Sequence, residues 1–263
     1  MRCRGVSLRL WLALCVALAG CAAQSPARVE PRTTSEQNDP ERRARVRLEL
    51  AGLYLGRGQS SIALEEVRRA IAAKPDLAEA YSVRGLIYAS MGEPALAEES
   101  FQQALKLAPR DGDAMHNYGW FLCQQKRYTD ADVQFAGAIA QTQYRDSVRT
   151  LLAQGVCQAR AGRWPEAERT LARSYELDPA NPVTAYNLSE VLMKRGELDR
   201  ARFYVGRING VSELTTSQSL WLALRIERGL GNQQAVQDYG RRLRERFPQS
   251  DEALLFERGR FDE

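Results

Sequence analysis

Five cysteines and one histidine carry most of the reactive chemistry available to this chain of 263 residues. The single histidine, His116, excludes a histidine-rich metal site and leaves any histidine-dependent catalytic arrangement resting on one side chain. Acidic pairs, Glu65-Glu66 and Glu98-Glu99, offer the residue type of paired catalytic carboxylates. They recur at corresponding places in what reads as a helix, where a solvated face is the expected role. Gly56-Arg57-Gly58 does not follow a strand and so does not read as a phosphate-cradling loop. No catalytic residues, metal, cofactor or small-molecule substrate are expected.

The cysteines separate by position. Arg2, Arg4 and Arg9 precede and open the run Leu8–Leu18, which is apolar apart from Arg9, and no acidic residue appears before Glu30. This is the charged and apolar pattern of a secretory signal. The run falls well short of the roughly 20 apolar residues a membrane-spanning helix needs, so an uncleaved anchor is the weaker reading. It ends in Leu18-Ala19-Gly20-Cys21, which resembles a bacterial lipobox. That resemblance implies residues 1–20 as a signal peptide, cleavage after Gly20, and a diacylglyceryl thioether with amino-terminal acylation on Cys21. Several acyl chains anchor a protein stably where one is marginal. In such lipoproteins an Asp after the lipidated cysteine commonly retains the protein at the inner membrane. Here Ala22 follows, which implies the periplasmic face of the outer membrane.

Cys3 and Cys15 would leave with the signal, and Cys123 and Cys157 would remain. An exported compartment permits a disulfide between them, but sequence leaves the geometry open. Two half-buried free thiols are the favoured expectation, because a chain of this length has a core and needs no staple.

The charged fraction of 27% and hydrophobic fraction of 44% are ordinary for a globular protein. Of the 37 basic residues, three belong to the signal. The 34 left against 33 acidic ones give a net charge of +1, and nothing here favours nucleic acid as a partner. Residues 21–43 are polar and proline-containing, unable to offset ordering entropy by burial, and read as a flexible tether spanning about 25 to 30 Å on average.

Beyond it lies a repeat. Ala63, Ala97, Ala131, Ala167 and Ala201 are separated by 34, 34, 36 and 34 residues, and Ala51, Gly85, Gly119, Gly155 and Ser189 keep the same offsets. Gly58, Gly92, Gly162 and Gly196 fall between the two series, and Pro75, Pro109 and Pro179 follow them. Small residues let two helices approach, the intervening glycine suits a positive-φ helix end, and proline stops the second helix. Larger residues such as Tyr81, Tyr88 and Phe101 recur at helical spacing between them. The unit is a helix-turn-helix that resembles the tetratricopeptide repeat (TPR). The expected fold is all-α, a right-handed superhelix of six TPR units over residues 44–250: 44–77, 78–111, 112–147, 148–181, 182–215 and 217–250. The third carries two extra residues near Tyr144. The sixth is degenerate, with Ala235 one place early, as suits a capping unit. Residues 251–263 form a charged tail that either continues as a helix or frays.

Stacked repeats of this kind offer a concave groove lined by their first helices. The second, fifth, ninth and twelfth positions of the units give Leu48, Leu55, Leu86, His116, Trp120, Tyr186 and Glu190 as candidates. The first three units are unusually apolar there, which suits an amphipathic helix or apolar strand of a partner. Leu48 and Leu86 read equally well as core residues displaced by one position. Trp120, beside His116, is the favoured contact because tryptophan is enriched in binding hot spots.

The stretch from His116 to Cys123, His-Asn-Tyr-Gly-Trp-Phe-Leu-Cys, followed by Lys126-Arg127-Tyr128 and Ala131, closely resembles the PilF/PilW family of type IV pilus biogenesis lipoproteins. Residues 179–188, the segment Leu220–Ile226 and Phe247-Pro248 extend the resemblance over nearly the whole chain, with Asn117, Phe121 and Trp221 matching outside the repeat pattern. The resemblance implies a pilotin: an outer-membrane-anchored escort that binds the secretin subunit in its groove and promotes secretin localisation and multimerisation; a monomer is the expected state, which the sequence itself leaves open. The alternative is a TPR lipoprotein that recruits or activates cell-wall enzymes or a polysaccharide exporter, using the same anchor and groove.

Overall fold

The computed structural model describes residues 39–261. The expected signal peptide, Cys21 and the tether as far as residue 38 lie outside the described residues, as do residues 262 and 263. Among the described residues there are thirteen α-helices and no strand. None of these helices is long and apolar enough to cross a membrane.

Twelve of the helices form six antiparallel pairs: α1 (Pro40–Gly56) with α2 (Ser60–Ala73), α3 (Ala78–Ser90) with α4 (Pro94–Leu107), and α5 (Gly112–Gln124) with α6 (Tyr128–Ile139). Then follow α7 (Ser147–Arg160) with α8 (Trp164–Leu177), α9 (Pro182–Lys194) with α10 (Leu198–Asn209), and α11 (Ser217–Gly229) with α12 (Gln233–Arg246). A last helix, α13 (Asp251–Glu257), follows. The fold is a TPR superhelix. Residues 40–43, expected in the tether, form the first turn of α1, and Glu41 there pairs with Lys74 at the end of α2.

The repeated small residues act where the two helices of a pair meet. Ala63, Ala97, Ala131, Ala167 and Ala201 have no exposed surface, and neither do Val67, Phe101, Phe135 and Leu171 one turn further on. A Cβ added at Gly85 would lie 2.7 Å from the Phe101 ring, and one at Gly155 would lie 2.6 Å from Leu171 Cγ. The glycine therefore makes room for the large side chain of the facing helix. At the fifth pair Ser189 takes this place and donates a hydrogen bond to the Ala201 carbonyl at 2.8 Å.

The turns repeat as well. In the first pair Gly58, at φ 72°, donates to the Leu55 carbonyl and Gln59 to the Tyr54 carbonyl, closing the helix end with paired backbone bonds. The third pair makes the same turn with Lys126 at φ 60°, the only positive-φ residue among the described residues that is not glycine. The two extra residues of the third unit sit between α6 and α7, where the Tyr144 ring covers Gly112 at the start of α5.

The end of the array differs from expectation in one respect. In α12 the buried face runs through Val236, Gly240 and Leu243, so Val236 takes the place of the repeated alanine and Ala235 sits one position early, in keeping with the degenerate register expected of this unit. The outer face of the sixth pair is not left to solvent. The helix α13 and Phe261 cover it, with Phe256 against Gly240 and Phe261 stacked on Trp221 at 5.9 Å. The capping role expected of the sixth unit is thus carried by the residues after it.

Cys123 and Cys157 are joined by a disulfide and buried, with 2% and 0% exposure, which corrects the expectation of two free thiols. Cys123 is at the twelfth position of the third unit and Cys157 at the tenth of the fourth, and the packing of α5 on α7 brings them side by side with Cα atoms 5.8 Å apart.

Of the acidic pairs, Glu65 and Glu99 are exposed on a solvated face as expected, whereas Glu66 and Glu98 are drawn into contacts between helices. Glu66 is 7% exposed and accepts from Arg47 and Arg69. Glu98 accepts from Arg127 of the next unit and from the Tyr118 hydroxyl. Comparable bridges, Arg163 to Asp132 and Arg195 to Glu168, link later neighbours. Burial works against the Glu98 charge, but the hydrogen bonds from Arg127 and Tyr118 outweigh it and hold its carboxyl below the usual range.

Candidate partner-binding groove

Each first helix packs not only on its own partner but on the first helix of the next unit: α1 on α3, α3 on α5, α5 on α7, α7 on α9 and α9 on α11. An array that draws its first helices together curves toward them, so these six helices line the inner wall. The side chains they leave partly uncovered there are the ones available to a partner.

The candidates divide into three groups. Leu48 and His116 are interior. Leu48 is 6% exposed and part of the core cluster between α1 and α2. His116 is 8% exposed, with its ring edge toward Phe135 and its Nδ1 2.8 Å from Thr150 Oγ1 of the following unit. Thr150 Oγ1 also bonds the Tyr144 hydroxyl at 2.7 Å. Burial, then the nearby Arg149 charge, push the His116 pKa down from 6.5 to about 4, against a smaller opposing effect of Asp146. His116 is therefore a neutral joint between the third and fourth units and does not present a surface beside Trp120. The helical register, read one repeat at a time, does not reveal that the ninth position faces outward while the fifth faces the next unit.

Leu55, Leu86 and Trp120 form the second group, half-buried against the core clusters of the first three units. Ala89 continues the same strip. Trp120 is partly roofed by Arg160 of the next unit, whose guanidinium carbon lies 4.9 Å from the ring centroid. These side chains make this strip of the wall apolar.

Tyr186 and Glu190 are in the second half and line different hollows. Tyr186 opens on a small apolar cavity of about 200 Å³ with Pro182, Val183, Ile208 and Leu214. Burial, followed by the charge of Glu190, raises its hydroxyl pKa. Glu190 lines a hollow of about 320 Å³ with Val156, Arg160, Trp164 and Lys194. Arg160, Lys194 and Met193 were not among the expected groove residues, nor was Arg225, which lines a further cavity with Lys194. A signal was present, because Arg160, Lys194 and Arg228 follow one another at 34-residue intervals.

Among the described residues no three histidine, cysteine, aspartate or glutamate side chains cluster as metal ligands would.

Family models for the tetratricopeptide repeat match residues 78–111, 100–132 and 158–210. The type IV pilus assembly protein PilF of Pseudomonas aeruginosa is 28% identical over 245 residues, covering 93% of this chain and 95% of that protein. Among solved structures, PilW, described as a widely conserved type IV pilus biogenesis factor, superposes with a TM-score of 0.74 at 30% identity, covering 80% of this chain and 96% of that one. The structure of Pseudomonas aeruginosa PilF gives 0.71 at 26% identity, covering 84% and 99%.

Proposed function

The chain belongs to the PilF/PilW family of type IV pilus biogenesis proteins, and on that basis we propose that it acts as a pilotin, anchored to the periplasmic face of the outer membrane through lipid on Cys21. It holds a segment of the secretin subunit in its groove and promotes secretin delivery and multimerisation.

The observation that carries this reading is the apolar strip of Leu55, Leu86, Ala89 and Trp120 along the inner wall of the first three units. Half-buried apolar side chains in a row on successive helices suit the apolar face of an amphipathic helix or a strand edge, and they supply no acid–base or nucleophilic group. The Cys123–Cys157 disulfide supports the exported setting, since such bonds persist in oxidising compartments. A TPR scaffold in a family of pilus assembly proteins acts through protein contacts, and the reading assigns the chain no catalysis.

The test is a deletion strain, with surface piliation and the heat-resistant secretin multimer measured in outer-membrane fractions, complemented by wild type and by Cys21→Ser. The expected result is loss of multimers and pili on deletion, rescued by wild type and poorly by Cys21→Ser. Normal multimers and pili in the deletion strain would overturn the reading and favour a scaffold for cell-wall enzymes or a polysaccharide exporter.

A further inference from the structure

The inner wall changes chemistry halfway along. Where the first three units present Leu55, Leu86 and Trp120, the last three present Arg160, Lys194 and Arg225. Elsewhere in the array, several arginines that join neighbouring units are matched to carboxylates: Arg163 to Asp132, Arg195 to Glu168, and Arg202 to Glu227. Arg160, Lys194 and Arg225 form no ion pair among the described residues. Among the described residues Glu190 is the one carboxylate lining the same two hollows, so their side chains leave this positive charge without an ion-pair partner.

The larger hollow, of about 470 Å³, combines Lys194, Arg225 and Arg228 with Met193, Leu198 and Phe261. The Arg228 guanidinium lies over the Phe261 ring at 4.5 Å, which fixes an aromatic wall beside the cations. A cavity of this size takes one or two side chains with their backbone and is too small for a length of nucleic acid duplex. Its composition is equally selective. A simple anion would gain nothing from Met193, Leu198 and Phe261, and a purely apolar segment would leave Lys194 and Arg225 desolvated without partners.

We propose that the cavity between α9, α10, α11 and Phe261 binds an acidic, amphipathic segment of a partner protein, whose carboxylates are received by Lys194 and Arg225 and whose apolar side chain sits against Met193, Leu198 and Phe261. This surface is separate from the apolar strip of the first three units and is independent of the pilotin reading. Arg160, in the adjoining hollow that shares Lys194, extends the same charge toward Trp120, so an acidic segment can continue along the wall toward the apolar half.

The experiment measures fluorescence anisotropy of a short labelled peptide of alternating glutamate and leucine, titrated with the full chain purified without reductant, beside an analogue with glutamine for glutamate. The acidic peptide should bind, weaken as salt is raised, and exceed the glutamine analogue by on the order of tenfold or more. Arg225→Glu and Lys194→Glu should each weaken it by a similar factor, with Arg225→Gln as the milder variant should charge reversal disturb folding. Arg241→Glu, an equal change on exposed α12 at a residue paired with Asp238, should leave binding unchanged. Equal binding of the glutamine analogue would overturn the proposal, as would equal loss in Arg241→Glu. Phosphatidylglycerol vesicles bound with the same dependence on Arg225 would overturn it in favour of a lipid headgroup.

Discussion

His116 of the third unit and Thr150 of the fourth meet through Nδ1 and Oγ1 at 2.8 Å in a setting that keeps the imidazole neutral. The joint between the units is therefore sensitive to pH in a definite direction. The folded pKa is about 4 against 6.5 when exposed, so between these values the unfolded chain binds more protons than the folded one. The contribution is fully present above about pH 6.5 and is lost as pH falls toward 4. Unfolding free energy should drop by about 2 kcal/mol from pH 7 to pH 5 on this account, and His116→Asn should flatten that slope. A slope unaltered in the variant would place the sensitivity elsewhere.

Glycine substitutions should have opposite signs at two positions on first helices. At Gly155 an added Cβ falls 2.6 Å from Leu171 Cγ, whereas at Gly52 nothing lies within 4 Å. Gly155→Ala should cost about 1–3 kcal/mol through overpacking. Gly52→Ala should stabilise by about 0.5–1 kcal/mol, because the backbone entropy of a helical glycine is no longer lost. Denaturant midpoints of the two variants, compared with wild type, decide it.

Lys126 occupies the turn that the other units give to glycine. A side chain at φ 60° carries a strain that glycine does not, so Lys126→Gly should raise stability by about 0.5–1 kcal/mol. Lys126→Val should lower it, since a β-branched residue tolerates this conformation least. If both variants unfold alike, the turn does not control the stability of the third unit.

Reduction of Cys123–Cys157 opens a loop of 34 residues, for which chain-entropy arguments give a loss of about 3–4 kcal/mol. Thermal melts with and without reductant should differ, and the double variant Cys123→Ser with Cys157→Ser should melt like the reduced protein under both conditions. An unchanged melt on confirmed reduction would mean that packing alone holds the third and fourth units together.

The fold was readable because each repeating residue type has a steric duty that survives from unit to unit, as Ala97 with Gly85 and Phe101 illustrates. The groove was read less well. Leu48 and His116 occupy a position whose side chain turns into the stack, and only the packing of one first helix on the next reveals this. The cysteine pair was misread for a related reason. The 34-residue spacing identifies neighbours in a repeat, but the two extra residues around Tyr144 shift the register by which they face each other. Of the cations of the second half, Arg160 and Lys194 fall at the thirteenth position of their units, just outside the positions that define the groove, whereas Arg225 and Arg228 fall on the ninth and twelfth positions of the sixth unit, whose degenerate pattern hides its register.

A stack whose units touch only their neighbours behaves under tension like a zipper, opening one interface at a time from whichever end is loaded. The bond between Cys123 and Cys157 places a rivet in the middle of that zipper, at the interface of the third and fourth units. A tear started at α1 stops there, and so does one started at α13. The apolar and cationic halves of the inner wall lie on opposite sides of the rivet, so either can yield to a pulling partner while the other keeps its shape.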